Sequence, residues 1–233
     1  MSETTFECKN LVKRYGGKTA LDDISLKLNG GRIIGLLGPN GSGKTTLIKL
    51  ANGLLTPSSG EVLINGIPIG TETKKVVSYL PDCVSLPERM RVSEVIGFYG
   101  EFFEDFDTDK ACRMAQNLGL EQNTFVKALS KGTKEKLQLI ITMSRHAEIY
   151  FLDEPMGGVD PATRDYILNT IISNYDENAI VLISTHLIAD VEQILDEVVF
   201  INEGKIMLHD SVDNIRENKG KSVDELFREV FRC

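Results

Sequence analysis

The sequence predicts an α/β fold: a core of mostly parallel sheet, an N-terminal antiparallel β subdomain and an inserted α-helical subdomain. Three observations carry this. The runs Ile149-Tyr150-Phe151-Leu152 and Ile180-Val181-Leu182-Ile183 are continuously apolar, as strands buried on both faces of a parallel sheet are. Residues 6–12 and 24–28 instead alternate apolar with polar side chains, the pattern of half-buried antiparallel strands. From about Val92 to Arg145 the periodicity becomes helical, with no convincing strand.

A chain of 233 residues accommodates one large α/β domain with an insertion, and two independent domains would be cramped. We therefore expect a single domain over 1–233. Residues 1–83 and 146–210 form its α/β core and β subdomain, 84–145 the helical subdomain, and 211–233 the C-terminal helices.

Taken in order, the first two strands flank a turn region at Gly16-Gly17. Arg32 to Leu37 is an apolar run of strand length, and Thr46 to Ala51 has helical periodicity. Glu61-Val62-Leu63-Ile64 enters a hairpin turn at Asn65-Gly66, and Val76 to Leu80 is a strand stopped by Pro81-Asp82. In the helical stretch Val95, Phe98, Tyr99, Phe102, Phe103 and Phe106 recur at three- and four-residue spacing on one predicted helix. A buried face and a docking surface use the same residue types, so both readings stand. A helix from Pro161 to about Ser173 joins the two buried strands into a β-α-β unit. Val198 to Asn202 and Lys205 to Leu208 read as a late hairpin, followed by short helices at about 211–217 and 222–231.

Composition narrows the function. A formal charge of −8 opposes broad electrostatic binding to nucleic acid or to an anionic membrane surface. Cys8, Cys83, Cys112 and Cys233 lack metal or disulfide spacing, which points to a reducing cytosol. No apolar run approaches the roughly 18 to 20 residues of a membrane span, and Met1 to Thr5 lacks a basic-then-apolar signal. Work at a membrane would need another chain to supply the span.

Between the apolar run ending at Leu37 and the helix after it lies Gly38-Pro39-Asn40-Gly41-Ser42-Gly43-Lys44-Thr45-Thr46, which fits G-x-x-x-x-G-K-[ST]. Glycines let successive backbone N–H groups turn inward on a nucleotide's phosphates. Lys44 then reaches the terminal phosphates, Thr45 faces Mg²⁺, and the helix presents its positive end.

Asp153 and Glu154 end the first buried strand, where ligands bind in open α/β sheets. Adjacent carboxylates there are costly without a cation. Asp153 is the natural acidic partner of Mg²⁺, and Glu154 the natural base or water-positioning group for attack on a γ-phosphate. His186 ends the next buried strand; such a histidine is often merely hydrogen-bonded to a loop, but adjacent strand ends would bring it to the same phosphate. Ser130-Lys131-Gly132-Thr133-Lys134-Glu135-Lys136 opens a helix with three lysines at its positive end, unfavourable by about 0.3–1 kcal/mol per exposed charge. A bound anion would reverse the sign, whereas water and Glu135 would merely screen it.

From about residue 5 to 210 this set of motifs, in this order and spacing, resembles the nucleotide-binding subunit of an ABC transporter, with its P-loop NTPase core. GPNGSGKTT resembles the Walker A motif, IYFLDEP the Walker B with Glu154 as catalytic glutamate, LSKGTKEK the signature, Gly158-Val159-Asp160 the D-loop and His186 the switch histidine. Tyr15 falls where the family stacks an aromatic ring on adenine. The resemblance implies ATP with Mg²⁺ as cofactors and a head-to-tail dimer with a second ATP-binding subunit. ATP on Lys44 and Thr45 of one chain would be covered by Ser130 and Gly132 of the other. It also implies a transmembrane permease subunit docked between core and helical subdomain, on the cytoplasmic face of the cell membrane, with membrane contact only through that partner. Short subunits with LSxG signatures resemble the exporting branch.

Two motifs depart from the family pattern. Lys131 and Thr133 replace a glycine and a glutamine of the common signature LSGGQ, while Ser130 and Gly132 are kept. Asp82 stands where the family senses γ-phosphate and Mg²⁺ through a glutamine, and is shorter and charged. Two other functions compete: an ATPase of ribosomes or DNA, opposed by a single cassette and the acidic balance, and a GTP switch, opposed by the lack of an N-K-x-D motif, the nearest being Asn218-Lys219-Gly220-Lys221.

Overall fold

A computed structural model of the chain describes residues 4–231; the readings of Met1-Ser2-Glu3 and of Cys233 lie outside the described residues. Two sheets and a helical layer account for the architecture. Strands β1 (Thr5–Tyr15), β2 (Lys18–Asn29), β4 (Ser59–Ile64) and β5 (Ile67–Pro68) form an antiparallel sheet in the order β2-β1-β4-β5. Strands β3 (Arg32–Leu37), β6 (Val77–Leu80), β7 (Ile149–Asp153), β8 (Ile180–Thr185), β9 (Glu197–Asn202) and β10 (Lys205–Ser211) form a larger sheet in the order β10-β9-β3-β8-β7-β6. It is parallel throughout except for the β9-β10 hairpin.

The continuous apolar runs are explained by that order. β7 and β8 lie inside the sheet and every one of their residues is buried. One face packs with the antiparallel sheet and α1 (Lys44–Ala51), where Phe6 meets Phe151 edge to face at 5.4 Å. The other face packs with α6 (Pro161–Asn174), α7 (Ile188–Val191), α8 (Val212–Lys219) and α9 (Val223–Phe231). α2 (Thr71–Lys75) and α7 are short helices that the periodicity does not reveal, since one turn shows no repeat. β1 and β2 run up to the Gly16-Gly17 turn on both sides, beyond the predicted 6–12 and 24–28, with register shifts after Cys8 that blur the alternation.

The helical layer comprises α3 (Val92–Phe102), α4 (Thr108–Asn117) and α5 (Lys131–Met143), around a hydrophobic cluster of its own that includes Val95, Phe106, Leu137 and Ile140. The single aromatic helix is corrected here. α3 stops at Phe102, Phe103 is extended, and Phe106 pairs as an isolated bridge with Arg145 while Asp107 caps α4. The aromatic set also divides, with Val95 and Phe106 in the core and Phe98 and Phe102 exposed.

Arg145 fastens this layer to the sheet. Its buried guanidinium donates to both carboxylate oxygens of Asp105 (Nε at 2.9 and 3.1 Å), to the carbonyls of Val77 and Lys75, and lies 3.9 Å over the Phe103 ring. Removing the buried guanidinium leaves the part-buried Asp105 carboxylate and the Val77 and Lys75 carbonyls without their donor, so Arg145→Met is expected to cost about 3 kcal/mol in denaturant unfolding. A loss below about 1 kcal/mol would show that the pair is not a fastening.

Candidate functional site

The Gly38–Thr46 loop lies between β3 and α1, as strand, loop and helix in sequence required. Two of its glycines are sterically obliged. A Cβ on Gly38 would come within 2.2 Å of the Ile201 carbonyl and 2.6 Å of Ser42 Oγ, and Gly43 sits at φ +115, where a Cβ would meet Ala20 O at 2.8 Å. The loop is therefore pressed against β2 and β9 on one side, leaving its backbone to face outward.

The outward side opens into a cleft of about 560 Å³ lined by Tyr15, Lys18, Lys44, Thr45, Glu154 and His186, with Asn40, Gly41, Gly43, Thr46 and Asp82 also on its wall. Pro39 and Ser42 belong to the loop, and the Ser42 hydroxyl is buried without a partner. Tyr15 is exposed at the end of β1, with Lys13 Nζ 5.0 Å from its ring centroid.

Lys44 is buried, its ammonium donating to the carbonyls of Gly38 (2.7 Å) and Pro39 (3.3 Å) and lying 3.4 Å from Glu154 Oε1. The other carboxylate oxygen of Glu154 is 2.9 Å from His186 Nδ1. A carboxylate only accepts, so this bond places an imidazole proton on Nδ1. Glu154 holds a left-handed backbone, φ 49, with its N–H directed to both the carbonyl and the hydroxyl of Ser184. A non-glycine residue there carries strain of order 1 kcal/mol, tolerated where surroundings fix it.

Asp153 is fully buried. Its Oδ1 accepts from Thr45 Oγ1 at 3.1 Å and Ser184 Oγ at 2.5 Å, and its Oδ2 has no partner. Burial raises its carboxyl above the ordinary range; Ser184 and Thr45 draw it back, while Asp82 and Glu154 push it further up. A raised carboxyl pKa means that the folded chain binds the proton more readily than the unfolded one. The ionised Asp153 therefore costs stability as pH rises through its folded pKa. The free Oδ2, the Thr45 hydroxyl and the nearby Asp82 suit Mg²⁺, which takes one or two carboxylates and completes its shell with phosphates and water. No cluster of three His, Cys, Asp or Glu among the described residues would hold a metal by itself. Asp153→Asn should accordingly give a thermal midpoint at pH 7 equal to or above the parent's without nucleotide, yet lose the rise produced by MgATP. A clearly lower midpoint would mean that the carboxylate stabilises the fold.

Ser130 and Gly132 are not brought to this cleft. Ser130 caps α5, accepting from the Thr133 N–H at 3.2 Å, and Gly132 is open, with nothing within 4 Å of an added Cβ. The lysines around them have partners within the chain: Lys131 with Glu135 at 3.7 Å, Lys134 with Glu88 at 2.9 Å, and Lys136 5.2 Å from the Tyr166 ring centroid. Screening thus extends beyond Glu135 and relieves the helix dipole without an anion. Asp160 of the Gly158-Val159-Asp160 segment caps α6, and its bonds from Thr163 hold its carboxyl below the usual range.

Sequence reasoning did not identify Ser184, which touches both Asp153 and Glu154, nor Lys18 and Gly157 on the cleft wall. A small hydroxyl breaking an otherwise apolar strand two residues before His186 was the available signal for Ser184.

Comparison with known proteins gives the family and the fold. The family model described as ABC transporter matches residues 21–157, more than half of the chain. An uncharacterized ABC transporter ATP-binding protein of Synechocystis is 32% identical over 207 residues, 85% of this chain and 58% of that protein. The probable multidrug ABC transporter ATP-binding protein YbhF of Escherichia coli is 31% identical over 222 residues, 92% of this chain and 38% of that protein. The chain thus spans less than two thirds of either relative. A solved structure described as the ATP binding subunit of an ABC transporter has a TM-score of 0.85 at 27% identity, covering 97% of this chain and 99% of that one. The chain belongs to the ABC transporter family, as an ATP-binding subunit.

Proposed function

We propose that the chain binds ATP with Mg²⁺ and hydrolyses it to drive a separate transmembrane permease, pairing head to tail with a second ATP-binding subunit. The observation that carries this is the line Lys44–Glu154–His186 on one glycine-walled cleft, with Asp153 buried behind it and bonded to Thr45 of the cleft wall. In this line each residue has a separable task. Lys44 exchanges its two carbonyl partners and Glu154 for phosphate oxygens, and so frees a carboxylate oxygen to orient and deprotonate water. His186 holds the other oxygen. Thr45, Asp153 and Asp82 would hold Mg²⁺, which would offset phosphate charge. Tyr15 offers its ring to adenine.

Ser130, exposed, and Gly132, part-exposed, lie away from the lining of their own cleft and suit contact with a nucleotide held by another chain. No helix among the described residues is long and apolar enough to cross a membrane, which agrees with a span supplied by a partner. A groove of about 580 Å³ between sheet and helical layer, lined by Leu54, Tyr79, Tyr99, Phe102 and Phe103 among others, suits a permease helix. Export rests on LSxG and on the word multidrug in the name of YbhF. This arrangement sets the chain on the cytoplasmic face of the membrane.

The test is to purify the tagged chain from membranes and measure its ATPase activity with excess GTP present. We expect copurification of a polytopic membrane protein and ATP turnover that GTP does not suppress. Capture of ribosomes or DNA instead would overturn the transport reading, and competition by GTP the ATP assignment.

A further inference from the structure

Gln138 is a buried amide that the motifs leave out. It lies in α5, 6% exposed, among Leu137, Leu139, Ile140 and Ile141. Its Oε1 accepts from the Ser85 N–H at 2.6 Å and the Ser85 hydroxyl at 3.3 Å, and its Nε2 donates to the Cys83 carbonyl at 3.1 Å. These partners fix the amide's orientation, since the N–H must face oxygen and the carbonyl must face NH₂. A second staple lies one turn on. Ser78 Oγ donates to the Thr142 carbonyl at 2.8 Å, and Thr142 Oγ1 to the Gln138 carbonyl at 2.9 Å.

α5 is therefore fastened to β6 at residue 78 and to the following loop at 83 and 85, on either side of Asp82. Asp82 lines the nucleotide cleft, and Ser130 caps the same α5 at its far end. A buried amide with its hydrogen bonds satisfied specifies one geometry, which an apolar side chain at that position would not.

We propose that Gln138 is a positioning residue that makes α5, with Ser130 and Gly132 at its start, follow the placement of Asp82. This rests on reading the cleft as a nucleotide site. When Asp82 moves toward cation and phosphates, Cys83 to Ser85 move with it, and Gln138 carries the displacement into the helix. What occupies a chain's own cleft thereby sets how it presents Ser130 to a neighbouring chain.

Hydrogen exchange on the full chain tests this, with and without a non-hydrolysable ATP analogue and Mg²⁺. Gln138→Met keeps the length and removes both polar atoms. Gln138→Glu keeps the acceptor for Ser85 but sets a carboxylate against the Cys83 carbonyl, and it carries the same test should the methionine variant not fold. Without nucleotide, amides of 83–85 should exchange about tenfold faster in the variant, a local opening that leaves the rest of the chain protected. With the analogue, the parent should slow exchange at both 38–46 and 129–136, and the variant at 38–46 alone. Equal slowing at 129–136 in both proteins would overturn the linkage, and unchanged exchange at 83–85 would overturn the clamp. Absence of slowing at 38–46 in the parent would instead overturn the nucleotide reading and, with it, the linkage.

Discussion

Glu154→Gln is expected to bind MgATP with the parent's affinity and to turn it over at least about a hundredfold more slowly, the scale of losing a positioned general base. The amide keeps the shape of the carboxylate and still offers an oxygen to Lys44 or His186, so the cleft survives while its proton acceptor does not. Binding without turnover should accumulate a nucleotide-bound dimer, visible as a doubling of mass by light scattering with ATP and absent with ADP. Turnover within twofold of the parent would remove Glu154 from the role of base.

Two further variants separate binding from shared chemistry. Lys44→Ala should weaken ATP binding by tenfold or more, in keeping with roughly 1.5–3 kcal/mol for a hydrogen bond to a charged group. Ser130→Arg should leave binding in its own cleft unchanged, because Ser130 is not among the residues lining it. It should nevertheless lower turnover about a hundredfold, through bulk and charge placed against a partner's nucleotide. Mixed in equal amounts, the two impaired variants should regain activity in a dimer of identical chains, since both lesions then fall in one of two sites. Full activity of Ser130→Arg alone would argue against the sandwich.

The fold was legible where burial on both faces or a strict loop geometry left little freedom. The runs at 149–152 and 180–183 could be little else than inner strands, and they are. Gly38 to Thr46 announced strand, turn and helix because the backbone at Gly38 and Gly43 admits no side chain. Legibility failed where the decisive partner was distant. Nothing local stops α3 at Phe102; the chain turns there because Phe106 pairs with Arg145, 39 positions on, and Asp105 meets its guanidinium. Single-turn α2 and α7 were invisible for want of a period. The candidate site divides in the same way. Asp153, Glu154 and His186 could be read as neighbours once two strand ends were assumed adjacent, whereas Ser184 and Gln138 act on residues far off in sequence and carry no spacing signal.

The unpartnered Oδ2 of Asp153 has a consequence for the lifetime of the protein in a cell. On the proposed reading MgATP relieves that burial, and at a ligand concentration a hundred times Kd its binding stabilises the folded chain by about 2.7 kcal/mol. Proteases that cut transiently opened chains respond to free energy on this scale. The subunit would then be most durable in well-fed cells and cleared fastest in starved ones, its abundance tracking the supply of its own fuel.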